Sequence, residues 1–404
     1  MNLFRAHPSR DKPKIMFFVT EDWYFLSHRL GLARACRDLG WDVVVATRVQ
    51  NHGDIIRDEG FCLLPLRLRR RGRAPWSELP AIFQLIGILF RERPDILHQV
   101  GLKPVIYGSI AAMLAPPRVV INALAGMGYI FTSGHFSVRV ARILIQTMLW
   151  FCLRRRTHHL IVQNDDDADS LIQSGLIASE RLTVIRGSGV NPEEFPPSPE
   201  PDIAPGGPVV VAVVSRMLMD KGVREVVLAA RALKLRNVPV HIQLVGAPDP
   251  DNPSSVSEKT LRQWDREGCV EWLGQKDHIP DIWAAAHIAL LPSYREGLPR
   301  ALLEAGACGR PIVTTDVPGC NDVVDDGETG FTVPAQDWVG LAEAIEKLVL
   351  SPALRAKMGA AMREKTFTRF SEADVVRQTI DLYLGALGAF GPSQDAALNK
   401  GADR

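Results

Sequence analysis

Short apolar runs alternate with helix-length segments almost from the start of the chain. Lys14–Thr20, Asp42–Thr47, Phe61–Pro65, Asp95–His98, Val119–Ala123, Leu160–Gln163 and Leu182–Ile185 are rich in Val, Ile, Leu and Phe. Such runs read as strands buried on both faces, and the intervening segments as the helices that cover them. Residues 196–208, PPSPEPDIAPGGP, break the pattern with Pro, Gly and acids and predict a linker. The alternation then restarts with Val209–Val214, His241–Val245, Cys269–Trp272, Ile288–Pro292, Ile312–Thr315 and Gly330–Val333. The expectation is an α/β protein of two doubly wound parallel sheets, with domains over 1–195 and 209–370. A helix over 371–387 is expected to pack back on the first domain, and 388–404 to fray. Ligands of such sheets sit beyond the carboxyl ends of the strands, here in a cleft between the domains.

Charge sharpens this division. The formal net charge of the 404 residues is +1, but residues 1–190 hold 25 Lys+Arg against 16 Asp+Glu and residues 191–404 hold 22 against 30. One half is basic and the other acidic. Six scattered cysteines show no zinc spacing and read as reduced thiols in a cytoplasmic protein. No secretory signal is legible at the N-terminus, and the apolar stretch Val140–Leu153 is shorter than the ~20 residues of a membrane span. No G-x-G-x-x-G follows the first strand, which argues against a dinucleotide-dependent oxidoreductase. D-x-D occurs at Asp165–Asp167 and Asp249–Asp251. The first opens a helix, where acids favour the dipole, and the second lies in a Pro-rich turn, so both read as structural and no metal ligand is expected.

The second domain carries the densest chemistry. Strand Ile288–Pro292 runs into Glu296, Gly297, Leu298, Pro299 and a helix holding Glu304. Pro299 suits the start of that helix, Gly297 lets the backbone approach a ligand, and free amides there favour an anion. The carboxylates Glu296 and Glu304 suit sugar or ribose hydroxyls; alternatively they cap the helix and make a surface ion pair. Strand Val209–Val214 leads to Ser215, Arg216, Lys221 and Gly222. Arg216 offers a planar fork and Lys221 a point charge for phosphate oxygens, aimed at charge that grows on a leaving diphosphate. The plainer alternative is an ordinary surface arginine and a solvated lysine.

Glu296 and Glu304 with seven residues between them, Ser215-Arg216 with Lys221-Gly222, and the segment Gly187–Phe195 together resemble the retaining family 4 glycosyltransferases of GT-B fold, over about residues 14–385. The resemblance implies that Arg216 and Lys221 hold the donor diphosphate and that Glu304 binds the nucleotide ribose. Glu296 and the backbone of Gly297, Leu298 and Pro299 would meet the transferred sugar, and Lys276 would border the base. It also implies that the leaving diphosphate itself takes the acceptor proton, with no metal and no other cofactor.

Phe25–Arg29, Gly101–Gly108 and Ala125–Phe131 resemble a bacterial branch that builds lipid-linked oligosaccharides for capsule, O-antigen and N-glycan assembly. A UDP-N-acetylhexosamine donor and a polyprenyl-diphosphate-linked saccharide acceptor are therefore expected. The chain departs from many relatives in having Thr20–Tyr24 in place of a Gly-Gly loop, and Ala123–Met127 where some carry a His. Candidate acceptor residues are His28, which could also act in catalysis, His98, Lys103 and Gly126. Their alternatives are a helix-start histidine, a buried strand histidine and a solvated lysine. Basic clusters at Arg67–Arg73 and Arg154–Arg156 lie beside apolar helical segments and suit a peripheral contact with an anionic inner-membrane surface. They lack the interleaved aromatics of a nucleic-acid surface. Rival readings are a metal-dependent transferase, a sugar-nucleotide epimerase of the same fold and a non-catalytic nucleotide-binding subunit.

Overall fold

The computed structural model describes residues 12–68, 78–126 and 136–389, with backbone only for 136–144. Among these, the residues up to Ala125 and those of 136–185 and 376–389 form one compact unit; Gly126 and Arg186–Val375 form a second.

The first unit is built on seven parallel strands: β1 (Lys14–Glu21), β2 (Asp42–Arg48), β3 (Cys62–Pro65), β4 (Ile96–Val100), β5 (Val119–Ala123), β6 (His158–Val162) and β7 (Leu182–Val184). Their order is β3-β2-β1-β4-β5-β6-β7, so the chain reverses direction across the sheet between β1 and β4. Ile15 to Val19 are almost wholly buried, as a central strand covered on both faces requires. Asp95 lies just outside β4, where its carboxylate accepts the Lys14 amide at 2.9 Å. The strand extends two residues beyond the expected end, placing His98 at its centre, 1% exposed.

The second unit repeats the plan with β8 (Val209–Val214), β9 (Val240–Val245), β10 (Glu271–Gly274), β11 (Ile288–Leu291), β12 (Ile312–Thr315) and β13 (Gly330–Val333), ordered β10-β9-β8-β11-β12-β13 and all parallel. The reversal lies between β8 and β11, whose ends carry the densest predicted chemistry.

The Pro-rich segment 196–208 is bound to the second unit, and the division between units falls earlier, after Ile185. Two buried arginines explain this. Arg310 Nη2 donates to the Pro199 carbonyl at 3.1 Å, and Arg355 pairs with Glu200 at 2.6 Å. The last helix, Glu372–Ala389, begins in the second unit, where the Glu372 amide bonds the Val190 carbonyl at 3.1 Å; from Val376 it belongs to the first. There Tyr383 is fully buried and its hydroxyl lies 2.5 Å from His98 Nδ1. Residues 69–77, which hold most of the Arg67–Arg73 cluster, lie outside the described residues, as does the expected tail from 390.

Candidate active site

The site begins at the carboxyl end of β8. Arg216 follows the strand, the short turn Met219–Lys221 brings Lys221 round, and Gly222 opens the helix Val223–Leu235. Gly222 has φ +70°, and a Cβ there would stand 2.1 Å from the Pro292 carbonyl oxygen. Only glycine lets this loop lie against the end of β11. The Tyr294 amide bonds the Asp220 carbonyl at 2.9 Å, tying the two loops together.

That contact brings the predicted groups together. Lys221 Nζ pairs with Glu296 Oε1, and the same oxygen accepts the Ser293 hydroxyl at 2.6 Å. Ser293 is fully buried, and its carbonyl accepts the Thr315 hydroxyl, so the group that holds Glu296 is itself held from β12. The Glu296 amide bonds the Pro318 carbonyl at 3.2 Å. Gly126 has φ +100°, and a Cβ on it would lie 2.9 Å from the Gly297 nitrogen. Gly126 is thus a close-packing support of the Glu296–Gly297 backbone.

Pro299 is the residue before the helix Arg300–Ala307, and no side chain caps that helix. None caps the helix after Gly222 either, whereas Asn164, Ser257, Asp337 and Ser351 cap helices elsewhere. The uncapped amides at both helix starts suit an anionic ligand. The Leu298 side chain is core, packed among Val190, Phe195 and Leu302, which leaves only its backbone for a ligand. Glu304 accepts Arg300 Nε at 2.8 Å, and Arg300 also approaches Glu194 at 3.6 Å. Burial pushes the Glu304 carboxyl above its ordinary range, against the pull of Arg300. Lys276 is exposed in the loop after β10.

Sequence reasoning missed two groups. Ser293 gave only the signal of a small polar residue directly after a strand. Asp249, read as part of a turn, is 4% exposed and its Oδ2 accepts Arg216 Nη1 at 2.7 Å. At the other D-x-D, Asn164 caps the helix by accepting the Asp167 amide at 2.7 Å, and Asp167 is buried beside it.

Residues 208–351 match the model of glycosyl transferases group 1, and residues 14–164 that of the glycosyl transferase 4-like family. The chain belongs to the glycosyltransferases. This transferase is 26% identical over 377 residues to the N,N'-diacetylbacillosaminyl-diphospho-undecaprenol alpha-1,3-N-acetylgalactosaminyltransferase of Campylobacter jejuni, spanning 89% of this chain and 97% of that one. It is 24% identical to the UDP-Gal:alpha-D-GlcNAc-diphosphoundecaprenol alpha-1,3-galactosyltransferase of Escherichia coli, over 76% of this chain and 80% of that one. Its fold is that of sucrose-phosphate synthase from Thermosynechococcus elongatus, with a TM-score of 0.77 at 20% identity, over 94% of this chain and 100% of the other. The expected GT-B fold and hexosyltransferase class both hold.

The first unit treats its candidates differently. His98 is not available to an acceptor: it is enclosed by Phe17 and Tyr383 in the core, because β4 runs on past it. Burial, with the Arg29 charge second, holds its pKa well below the usual histidine value. His28 lies two turns inside the helix Asp22–Asp38, its ring stacked on Tyr24 at 4.1 Å and its Nδ1 2.6 Å from the Ser27 hydroxyl. Lys103, in the first turn of the helix Leu102–Leu114, pairs with the buried Glu78 at 3.3 Å.

The Thr20–Tyr24 segment also has a structural account. Buried Glu21 accepts Gln50 Nε2 at 3.0 Å, and buried Asp22 accepts the amides of Gln50 and His52 at 2.7 and 3.0 Å. Two carboxylates thus tie the end of β1 to the loop after β2. Burial works to raise the Asp22 pKa, but these backbone amides outweigh it and leave it below the ordinary carboxylate value.

Proposed function

We propose that this glycosyltransferase moves an N-acetylhexosamine from a UDP-sugar to a hydroxyl of an undecaprenyl-diphosphate-linked saccharide, with retention of configuration, in surface polysaccharide or glycan assembly. The observation that carries the donor side is the joining of Lys221, Glu296 and Ser293 at adjacent strand ends, on the connection that also bears Arg216. The names of the Campylobacter and Escherichia relatives support the lipid-linked acceptor.

In this reading Arg216 and Lys221 meet the diphosphate, Glu296 and the Gly297–Pro299 backbone meet the sugar, Glu304 meets the ribose, and Lys276 borders the base. The acceptor hydroxyl bonds to the anomeric carbon as the bond from that carbon to the diphosphate breaks. The diphosphate keeps the electron pair and takes the hydroxyl proton, so the cations act on charge that develops during the reaction. His28 and Lys103 are assigned to the acceptor, and no metal is assigned.

Mass spectrometry of products from a panel of nucleotide sugars and synthetic diphospholipid-linked acceptors tests this. Transfer only from a donor with another base would sink the UDP assignment. A product anomer opposite to the donor's would sink retention, and complete loss of turnover in EDTA would sink the metal-free site. Conversion of UDP-sugar alone into a second sugar nucleotide would favour the epimerase instead.

We further propose peripheral attachment to an anionic membrane through the first unit. Among the described residues no helix is long and apolar enough to cross a membrane. Three neighbouring helices, Leu79–Glu92, Leu102–Leu114 and Phe136–Leu153, nevertheless leave Phe83, Phe90, Leu114 and Phe151 more than half exposed. Arg154 stacks on Trp150 at the end of the last of these. Flotation with vesicles containing anionic lipid should carry the protein, and Phe83→Ser with Phe151→Ser should release it; no binding by the unaltered chain would defeat the proposal.

A further inference from the structure

We infer that Asp249, the first acid of the second D-x-D, is the positioning residue for Arg216; this rests on the reading that Arg216 meets the donor diphosphate. Arg216 is a long side chain that is 47% exposed, and an arginine in that setting samples many rotamers. Here it is fixed. Asp249 Oδ2 takes Nη1 at 2.7 Å, which leaves the rest of the guanidinium fork for a ligand.

Asp249 is held in turn. Its amide donates to the Ser255 hydroxyl at 2.9 Å, and its carbonyl accepts the Asn252 amide at 2.8 Å. The loop that carries it is bonded along the Arg216 segment: the Met217 amide to the Ala247 carbonyl at 3.0 Å, the Met219 amide to the Ser254 carbonyl at 2.7 Å and the Val256 amide to the Met217 carbonyl at 2.9 Å. The acid and the arginine therefore belong to one bonded piece, while Asp251, the second acid, is exposed.

A carboxylate this close also repels phosphate, and the two effects oppose each other in the ground state. Holding the fork ready aids binding; the negative charge opposes it. In the transition state the balance changes, because growing charge on the leaving diphosphate rewards an oriented donor that need not reorganise. Asp249 should thus act on turnover more than on donor affinity.

The test uses the full chain with Asp249→Asn, Arg216→Ala and the double variant. Turnover is measured with UDP-GlcNAc and UDP-GalNAc and an N-acetylhexosamine-diphospho-undecaprenol acceptor, and affinity by titration with UDP. For Asp249→Asn we expect kcat to fall about tenfold or more, UDP affinity to move by no more than about threefold, and the melting temperature to hold. Placed on Arg216→Ala, Asp249→Asn should change kcat by less than about twofold, since the group it positions is gone.

Unchanged kcat in Asp249→Asn, with Arg216→Ala crippled, overturns the inference alone. An equal fall in both backgrounds also overturns it, as would UDP affinity that depends on Mn²⁺ and is lost in Asp249→Asn, which would make the D-x-D a metal site. If Arg216→Ala itself leaves kcat intact, the donor reading fails and takes this one with it.

Discussion

The ends of β1 and of β8 occupy equivalent places in two sheets of the same design, yet they hold opposite chemistry. After β8 the chain sends out Arg216 and Lys221, and Gly222 presses that loop onto the end of β11, where Glu296 waits. At the end of β1 the chain places Glu21 and Asp22, both buried and both consumed in holding residues 48–52. In the proposed function one strand end presents charge to the donor; the other uses charge to close its own loop. A parallel sheet supplies the position at the carboxyl end, and the first few residues beyond the strand decide whether that position is a site or a brace.

The largest effect that can break this comparison is expected at Lys221. Lys221→Ala should lower kcat by about 100-fold or more, the scale of losing one charged group that acts in the transition state, with a melting temperature near that of the unaltered protein. Asp22→Asn should do the reverse, leaving kcat within about threefold while lowering the melting temperature, because it weakens a brace that accepts three backbone amides. If the two variants exchanged these signatures, the two strand ends would have to exchange roles.

Gly222→Ala comes next. The added methyl would meet the Pro292 carbonyl, and the left-handed backbone disfavours any side chain, so a loss on the order of 1–3 kcal/mol is expected. Because the same contact seats Lys221 beside Glu296, activity per folded molecule should also fall. Stability lost with activity intact would show that the loop contact and the ion pair are independent.

How much of this was legible in the chain follows the same contrast. Apolar runs marked every strand because parallel strands are buried on both faces and need no alternation to be seen. Lys221 and Glu296, which the fold joins, stood out in the chain because each lies in a strand-end loop that combines Gly and charge. His98 misled for a physical reason: a one-dimensional pattern shows that it ends an apolar run but not that Tyr383, 285 residues away, will cover it. Asp249 hid in the same way, since its partner Arg216 lies 33 residues off and a Pro-rich turn is a sufficient local account of it.

His98 offers a smaller, pH-dependent test. Its pKa lies well below the ordinary 6.5, because burial, aided by Arg29, keeps the folded ring neutral. The unfolded chain takes up a proton near pH 6.5 that the fold refuses. Stability present above that pH is therefore lost as the pH falls below it. His98→Gln should flatten part of the decline in melting temperature between about pH 6.5 and 5, with His158, His159 and His287, which burial shifts the same way, also contributing to it. The acceptor KM should not move; a large rise in it would return His98 to the acceptor site.

Glu304 should give the smallest effect on stability, with the opposite sign. Its carboxyl is pushed above the ordinary 4.5 by burial, more than Arg300 pulls it down. The fold therefore favours the protonated acid, and what this group contributes is present below the unfolded value and lost as pH rises through the folded one. Near neutral pH the ionised Glu304 costs the fold something, and Glu304→Gln, which resembles the protonated acid and can still accept Arg300 Nε, should melt slightly higher there. The advantage should shrink towards pH 4. UDP affinity should fall about tenfold in the same variant, since a carboxylate accepts a ribose hydroxyl more strongly than an amide does. A group that costs stability and returns binding is what a donor site would keep; lower stability at neutral pH with unchanged UDP affinity would make Glu304 an ordinary partner of Arg300.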